Sequence, residues 1–232
     1  MKMYWALPMV ALLAGCGDQA PAPAPMASEP AVAADAADAL PVMGPERRIL
    51  ALGDSLFAGY GLGEGEGYPA QLERALRARG INARIADAGV SGDTTAGGLQ
   101  RLAFTLDSQP QPPEVVLISL GGNDMLRGLP PEQTRANLDA ILTELGKRGI
   151  RAVVMGMLAP PNLGADYRGQ FDPIFPALAK KHKAVLVPFF LQPVIGRPDL
   201  IQQDRIHPTK VGIEALVADT VDEVAGALPK RS

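Results

Sequence analysis

A single cysteine and two histidines are all that 232 residues contain of the usual soft metal ligands. One cysteine forbids an internal disulfide, and so few histidines leave a zinc site dependent on several carboxylates. Basic blocks are also missing. Lysine and arginine total 22 against 25 acidic residues, a formal charge of −3, which argues against the basic face of a nucleic-acid binder. No segment repeats with a period of 20–50 residues, so a solenoid is excluded. The glycines between Gly59 and Gly67 fit neither G-x-G-x-x-G nor G-x-x-x-x-G-K-[ST], and Glu64 and Glu66 would repel an anion. That stretch reads as a flexible loop at a pocket mouth, not a phosphate cradle.

What the chain does have is a hydrophobic fraction of 47%, ample for one core at this length. The first residues stand apart from it. Lys2 precedes an apolar run from Met3 to Leu13, of signal-peptide length and too short to span a bilayer. The run closes in Leu13-Ala14-Gly15-Cys16, which resembles a bacterial lipobox. That resemblance implies a signal peptide over 1–15, cleavage before Cys16, and lipidation of the cysteine. Several acyl chains on one residue anchor durably, at about 0.8 kcal/mol per buried methylene. Gly17 after the cysteine resembles outer-membrane sorting, with the domain facing the periplasm. Residues 16–46 then form an Ala/Pro tether, in which alternating prolines from Pro21 favour extended polyproline geometry without burial. The folded domain is expected over 47–232.

From there apolar runs and amphipathic stretches alternate. Ile49–Leu52, Ile81–Ala88, Glu114–Leu120, Ile150–Leu158 and Ala184–Pro188 read as strands, the second more polar and so at an edge. Tyr68–Arg79, Thr95–Leu106, Pro131–Arg148, a segment near Phe171–Lys183, and Pro208–Leu228 read as helices. Such alternation predicts a three-layer α/β/α domain with a five-stranded parallel sheet and right-handed crossovers. In the flavodoxin-like order 2-1-3-4-5, the switch point falls between the first and third strands.

Ser55 follows the first strand, in Gly53-Asp54-Ser55-Leu56. A serine there needs a base, an orienter for that base, and donors for an oxyanion. His207 supplies an imidazole, and Asp204 stands three residues before it to accept the Nδ1 proton. Asn123, after the third strand, carries an amide donor. Gly92, after the second, can present its N–H with no Cβ in the way, and the Ser55 N–H is a third donor. Gly53-Asp54-Ser55-Leu56, Gly92, Gly121-Gly122-Asn123-Asp124 and Asp204-x-x-His207-Pro208 resemble, in order, the four blocks of the GDSL/SGNH hydrolase superfamily. Within it, Ser91-Gly92-Asp93-Thr94-Thr95 and the run from Leu120 to Gly128 are similar to the thioesterase I/lysophospholipase/arylesterase branch. The resemblance implies a serine esterase with the triad Ser55, His207 and Asp204. It also implies an oxyanion hole from Ser55, Gly92 and Asn123, and no metal or cofactor. Asp87 stands where the branch often has asparagine, and is expected to tune the loop before Gly92.

Implied substrates are aryl and short-to-medium acyl esters, acyl thioesters and lysophospholipids. The same triad would serve a carbohydrate O-deacetylase, and the same fold a non-catalytic envelope-binding lipoprotein. Leu56, Phe57, Tyr60, Leu62, Leu126, Leu158, Pro160, Phe189 and Phe190 are candidate walls for an acyl group. Asp54 and Asp124 read as structural acceptors in their loops. His182, among lysines 180, 181 and 183, reads as surface.

Overall fold

The computed structural model describes residues 42–230. The expected signal segment, Cys16 and the tether up to residue 41 lie outside the described residues.

The apolar runs pair as expected. Strands β1 (Arg47–Gly53), β2 (Ala83–Gly89), β3 (Val115–Ser119), β4 (Arg151–Met155) and β5 (Val185–Val187) form one parallel sheet in the order β2-β1-β3-β4-β5. All five residues of β3 are buried, whereas β2 buries only Ala83, as an edge strand should. Helices α2 (Tyr68–Ala78) and α8 (Lys210–Ala227) pack together on one face. On the other, α5 (Pro131–Lys147) packs against both α3 (Thr95–Asp107) and α7 (Ile174–His182). Leu72, Leu76, Leu117, Ile141 and Leu216 are wholly buried between the layers. Truncating one such leucine to alanine typically costs 2–5 kcal/mol.

Three details depart from the sequence reading. The helix expected near 171–183 is α7, but a helix the sequence reading did not include, α6 (Gly164–Phe171), precedes it, the two parted at Asp172-Pro173, because proline cannot supply the backbone donor of a helix interior. The last helix starts at Lys210, not Pro208, with Thr209 as its cap through an Oγ1 that accepts the Gly212 N–H at 3.2 Å. Two short helices, α1 (Ser55–Ala58) and α4 (Gly122–Leu126), occupy what the sequence presents as turns. Neither is long enough to carry a periodic signal.

Register decides where the loops end. Gly53 lies opposite Gly89 on one side and Ser119 on the other, so β1, β2 and β3 finish together. The chain then turns straight into α1, whose backbone runs so close to β2 that a Cβ at Gly89 would sit 2.3 Å from the Ala58 nitrogen. Only glycine permits that approach. Beneath α1, Phe57 stacks on Tyr68 at 5.3 Å and meets Phe190 edge-on at 6.0 Å. Phe57 and Phe190 are therefore core and not cleft walls.

Candidate active site

Ser55 is the first residue of α1, held at the rim by its predecessor. The Asp54 carboxylate caps the helix, accepting the Leu56 N–H at 3.0 Å. Its other oxygen accepts from the Asn123 side-chain amide at 3.2 Å. That leaves the second amide proton of Asn123 for another acceptor. Asp54 is 2% exposed, and burial pushes its carboxyl up to about 6 against the hydrogen bonds that favour its charge. The expectation of a structural aspartate thus holds, but Asp54 also touches a proposed oxyanion donor.

His207 closes on the serine from a different part of the chain. Its Nε2 lies 2.8 Å from Ser55 Oγ, and its Nδ1 lies 2.6 Å from Asp204 Oδ2. Asp204 Oδ1 also accepts the N–H groups of Ile206 and His207 at 2.9 and 3.0 Å. The His207 side chain, then the backbone donors, hold the Asp204 carboxyl down to about 2. Within this turn Arg205 adopts φ of 62°, a conformation costing a non-glycine residue about 1–2 kcal/mol. The three bonds to Asp204 help to offset it. Two residues steady the imidazole: Gln202, which the sequence did not flag, and Tyr60, read there only as a cleft wall. Gln202 donates its backbone N–H to the His207 carbonyl at 2.7 Å, and its side-chain amide to Tyr60 and Pro208 carbonyls at 2.8 and 2.9 Å. The Tyr60 ring lies over the imidazole, centroids 4.5 Å apart. Neither bracing role carries a sequence signal, since each acts on a residue distant in the chain or through backbone.

Gly92 has φ of 81°, open to glycine and strained for other residues, and a Cβ there would meet only the Arg127 guanidinium at 3.5 Å. Conformation, not crowding, is what requires glycine. Asp124, 1% exposed, accepts from the Thr95 N–H at 2.8 Å, from the Thr95 hydroxyl, and from the Thr134 hydroxyl at 3.3 Å. It is a structural acceptor, as its loop suggested. Asp87 accepts the Gly89 N–H at 2.8 Å, shaping the end of β2 before Gly92.

Ser55, Gly92, Asn123 and His207 line one cleft of about 910 Å³. Leu56, Tyr60, Leu126, Leu158, Pro160 and Phe189 line it too, as expected. Leu62 does not, and packs against the core. The far wall comes from a stretch the sequence did not flag, including Leu191, Val194, Ile195 and Ile201. Its residues lie mostly in turns, where apolar side chains show no period to read. His182 is only partly exposed, its ring 2.5 Å from Asp139, so the surface reading is corrected. The α7 helix turns that ring onto α5. Among the described residues no cluster of three or more His, Cys, Asp or Glu could hold a metal ion.

Residues 51–215 match the GDSL-like Lipase/Acylhydrolase family. The chain belongs to that family. Esterase TesA of Pseudomonas aeruginosa is 40% identical over 160 residues, 69% of this chain and 79% of that protein. Thioesterase 1/protease 1/lysophospholipase L1 of Escherichia coli K12 is 38% identical over 162 residues, 70% of this chain and 76% of that one. The solved SGNH-hydrolase family esterase AlinE4 is 63% identical, with a TM-score of 0.69, over 81% of this chain and all of that one. Two further AlinE4 structures carry a serine and an aspartate changed to alanine, and those positions are spaced as Ser55 and Asp204 are here. Family membership and fold together make this chain a carboxylic ester hydrolase.

Proposed function

We propose that Ser55 is the nucleophile, His207 the general base, Asp204 its orienter, and Ser55 N–H, Gly92 N–H and the Asn123 amide the oxyanion hole. The observation that carries this reading is the unbroken contact from Ser55 Oγ through His207 to Asp204, at 2.8 and 2.6 Å. As Ser55 Oγ attacks the ester carbonyl, its proton passes to His207 Nε2, and Asp204 stabilises the imidazolium that forms. The carbonyl oxygen becomes an oxyanion facing the three donors, each worth about 2.7–4 kcal/mol where such groups have been removed from other enzymes. Collapse expels the alcohol or thiol, which takes the proton from His207. Water, deprotonated by His207, then hydrolyses the acyl-enzyme and restores the serine.

Aryl and short-to-medium acyl esters, acyl thioesters and lysophospholipids are the substrates to test first. The apolar walls of the cleft and the names of the relatives support this range. Ser55→Ala should lower turnover of p-nitrophenyl butyrate by about 10⁴-fold or more and abolish labelling by a fluorophosphonate probe. Retained activity would overturn the assignment. A strict acetyl preference across a chain-length panel would instead indicate a carbohydrate O-deacetylase.

The lipobox-like Leu13-Ala14-Gly15-Cys16 supports a lipid anchor, placing this esterase on the periplasmic side of the envelope, at the outer membrane. Under that reading the full chain partitions into detergent, and Cys16→Ala moves it to the aqueous phase. Equal partitioning of both would sink the anchor.

A further inference from the structure

Gly92 lies in a turn between β2 and α3, outside both elements, so no strand ladder or helix fixes its peptide. An oxyanion donor must nonetheless be held within a fraction of an ångström of its working position. Two arginines with no part in the triad reach this turn from different elements. Arg127, just past the end of α4, donates Nη2 to the Gly92 carbonyl at 2.6 Å. Arg101, on α3, donates Nε to Asp93 Oδ2 at 2.8 Å and Nη2 to the Gly53 carbonyl at 2.9 Å. The same Gly53 carbonyl accepts the Val90 N–H at 3.0 Å, so the start of the turn is tied to β1 as well.

These bonds connect the three proposed donor loops in series. Gly53 lies two residues before Ser55, Asp93 follows Gly92, and Arg127 is four residues after Asn123. We infer that Arg101 and Arg127 form a clamp that keeps the Gly92 loop in register with Ser55 and Asn123, making both positioning residues for the ester hydrolysis. The inference rests on the donor assignment given above. Arginine suits the task chemically. The planar fork of Arg101 serves a carboxylate and a carbonyl with two different N–H groups at once, which a lysine ammonium on its flexible stem cannot reproduce in the same geometry. Arg101 and Asp93 are also mostly shielded, with 22% and 12% of their side chains exposed, so water competes little for the bond. Arg127 is exposed, and an exposed polar contact adds little to stability. Its effect belongs in catalysis.

Arg127→Ala is expected to lower kcat on p-nitrophenyl butyrate about tenfold, less than the hundredfold that a 1 Å misplacement can cost. KM should stay within about twofold, because ground-state binding does not depend on the oxyanion donors. A boronic acid, whose tetrahedral adduct on Ser55 fills the oxyanion site, should lose affinity by the same factor as kcat, with Tm unchanged. Arg101→Lys, which keeps the charge but loses one of the two bonds, should show the same parallel loss. Wild-type kcat and boronate affinity in Arg127→Ala would overturn the clamp, as would a kcat loss with unchanged boronate affinity. If Ser55→Ala is inactive while Arg127→Ala behaves as wild type, the clamp alone fails. If Ser55→Ala remains active, the site assignment beneath it fails.

Discussion

Ser55, Gly92 and Asn123 stand just beyond the ends of three hydrogen-bonded strands, whereas Asp204 and His207 stand in a turn with no strand of the sheet beneath them. On the strand side, position follows from register: β1, β2 and β3 end level, and buried Asp54 and Asp124 pin the loops that follow. On the turn side, position follows from local hydrogen bonds. Asp204 accepts three donors within its own turn, Gln202 holds the His207 carbonyl, and a single antiparallel bridge joins Ile201 to Pro208. A serine hydrolase needs its nucleophile and oxyanion donors rigid with respect to one another, and the sheet supplies that rigidity. The base must meet the serine but also turn from it toward the leaving group, so a turn braced by a few side chains serves it well enough.

Substitutions on each side should separate the two kinds of support. On the strand side, Asn123→Ala removes a donor aimed at developing charge, and kcat should fall by about 10²–10³-fold with little change in KM. On the turn side, Gln202→Ala removes a brace and no reacting group, so a loss of roughly tenfold is expected. Steady-state kinetics of the two variants check the ordering. A larger loss in Gln202→Ala would mean that the turn depends on its brace more than the strand loops depend on any one donor.

The last prediction concerns stability and its dependence on pH. Burial raises the Asp54 carboxyl to about 6, above its ordinary 3.8, so the folded state holds this proton more tightly than the unfolded chain does. Between those values, raising pH costs the folded state stability, and lowering pH through about 6 relieves the cost, to a total of roughly 3 kcal/mol. Asp54→Asn is neutral throughout and lacks this component. Thermal melts from pH 7 to pH 5 should therefore show the wild type gaining on Asp54→Asn as the pH falls. A pH-independent difference would mean that Asp54 stays charged across the range, and that the nucleophile loop is held by an ion instead of a titrating acid.

The two regions also differ in how far they could be read in advance. The strand side was legible, because short apolar runs closed by glycine are parallel strands, and their alternation with helices implies one parallel sheet. The turn side was visible only as residue types, Asp204 and His207 three apart before Pro208. The brace from Gln202 to Tyr60, 142 residues earlier in the chain, has no local pattern behind it. The cleft's far wall was hidden for a similar reason: Val194 and Ile195 sit in turns where neither period applies. Phe57 and Phe190 were misread as cleft walls because sequence tells that an aromatic is apolar but not which side of α1 it lies on.

By itself the sequence determined the alternating α/β order, the edge position of β2, the glycine at position 92, and the ordered blocks that place this chain among ester hydrolases. These follow from backbone propensity, hydrophobic period and chemistry carried by single residues, all of them local. Only the tertiary structure decided that His207 Nε2 stops 2.8 Å from Ser55 Oγ, 152 residues away, that Asp54 holds Asn123, and that Arg101 and Arg127 grip the Gly92 loop. Those distances depend on strand register and helix packing, which no short window of sequence contains.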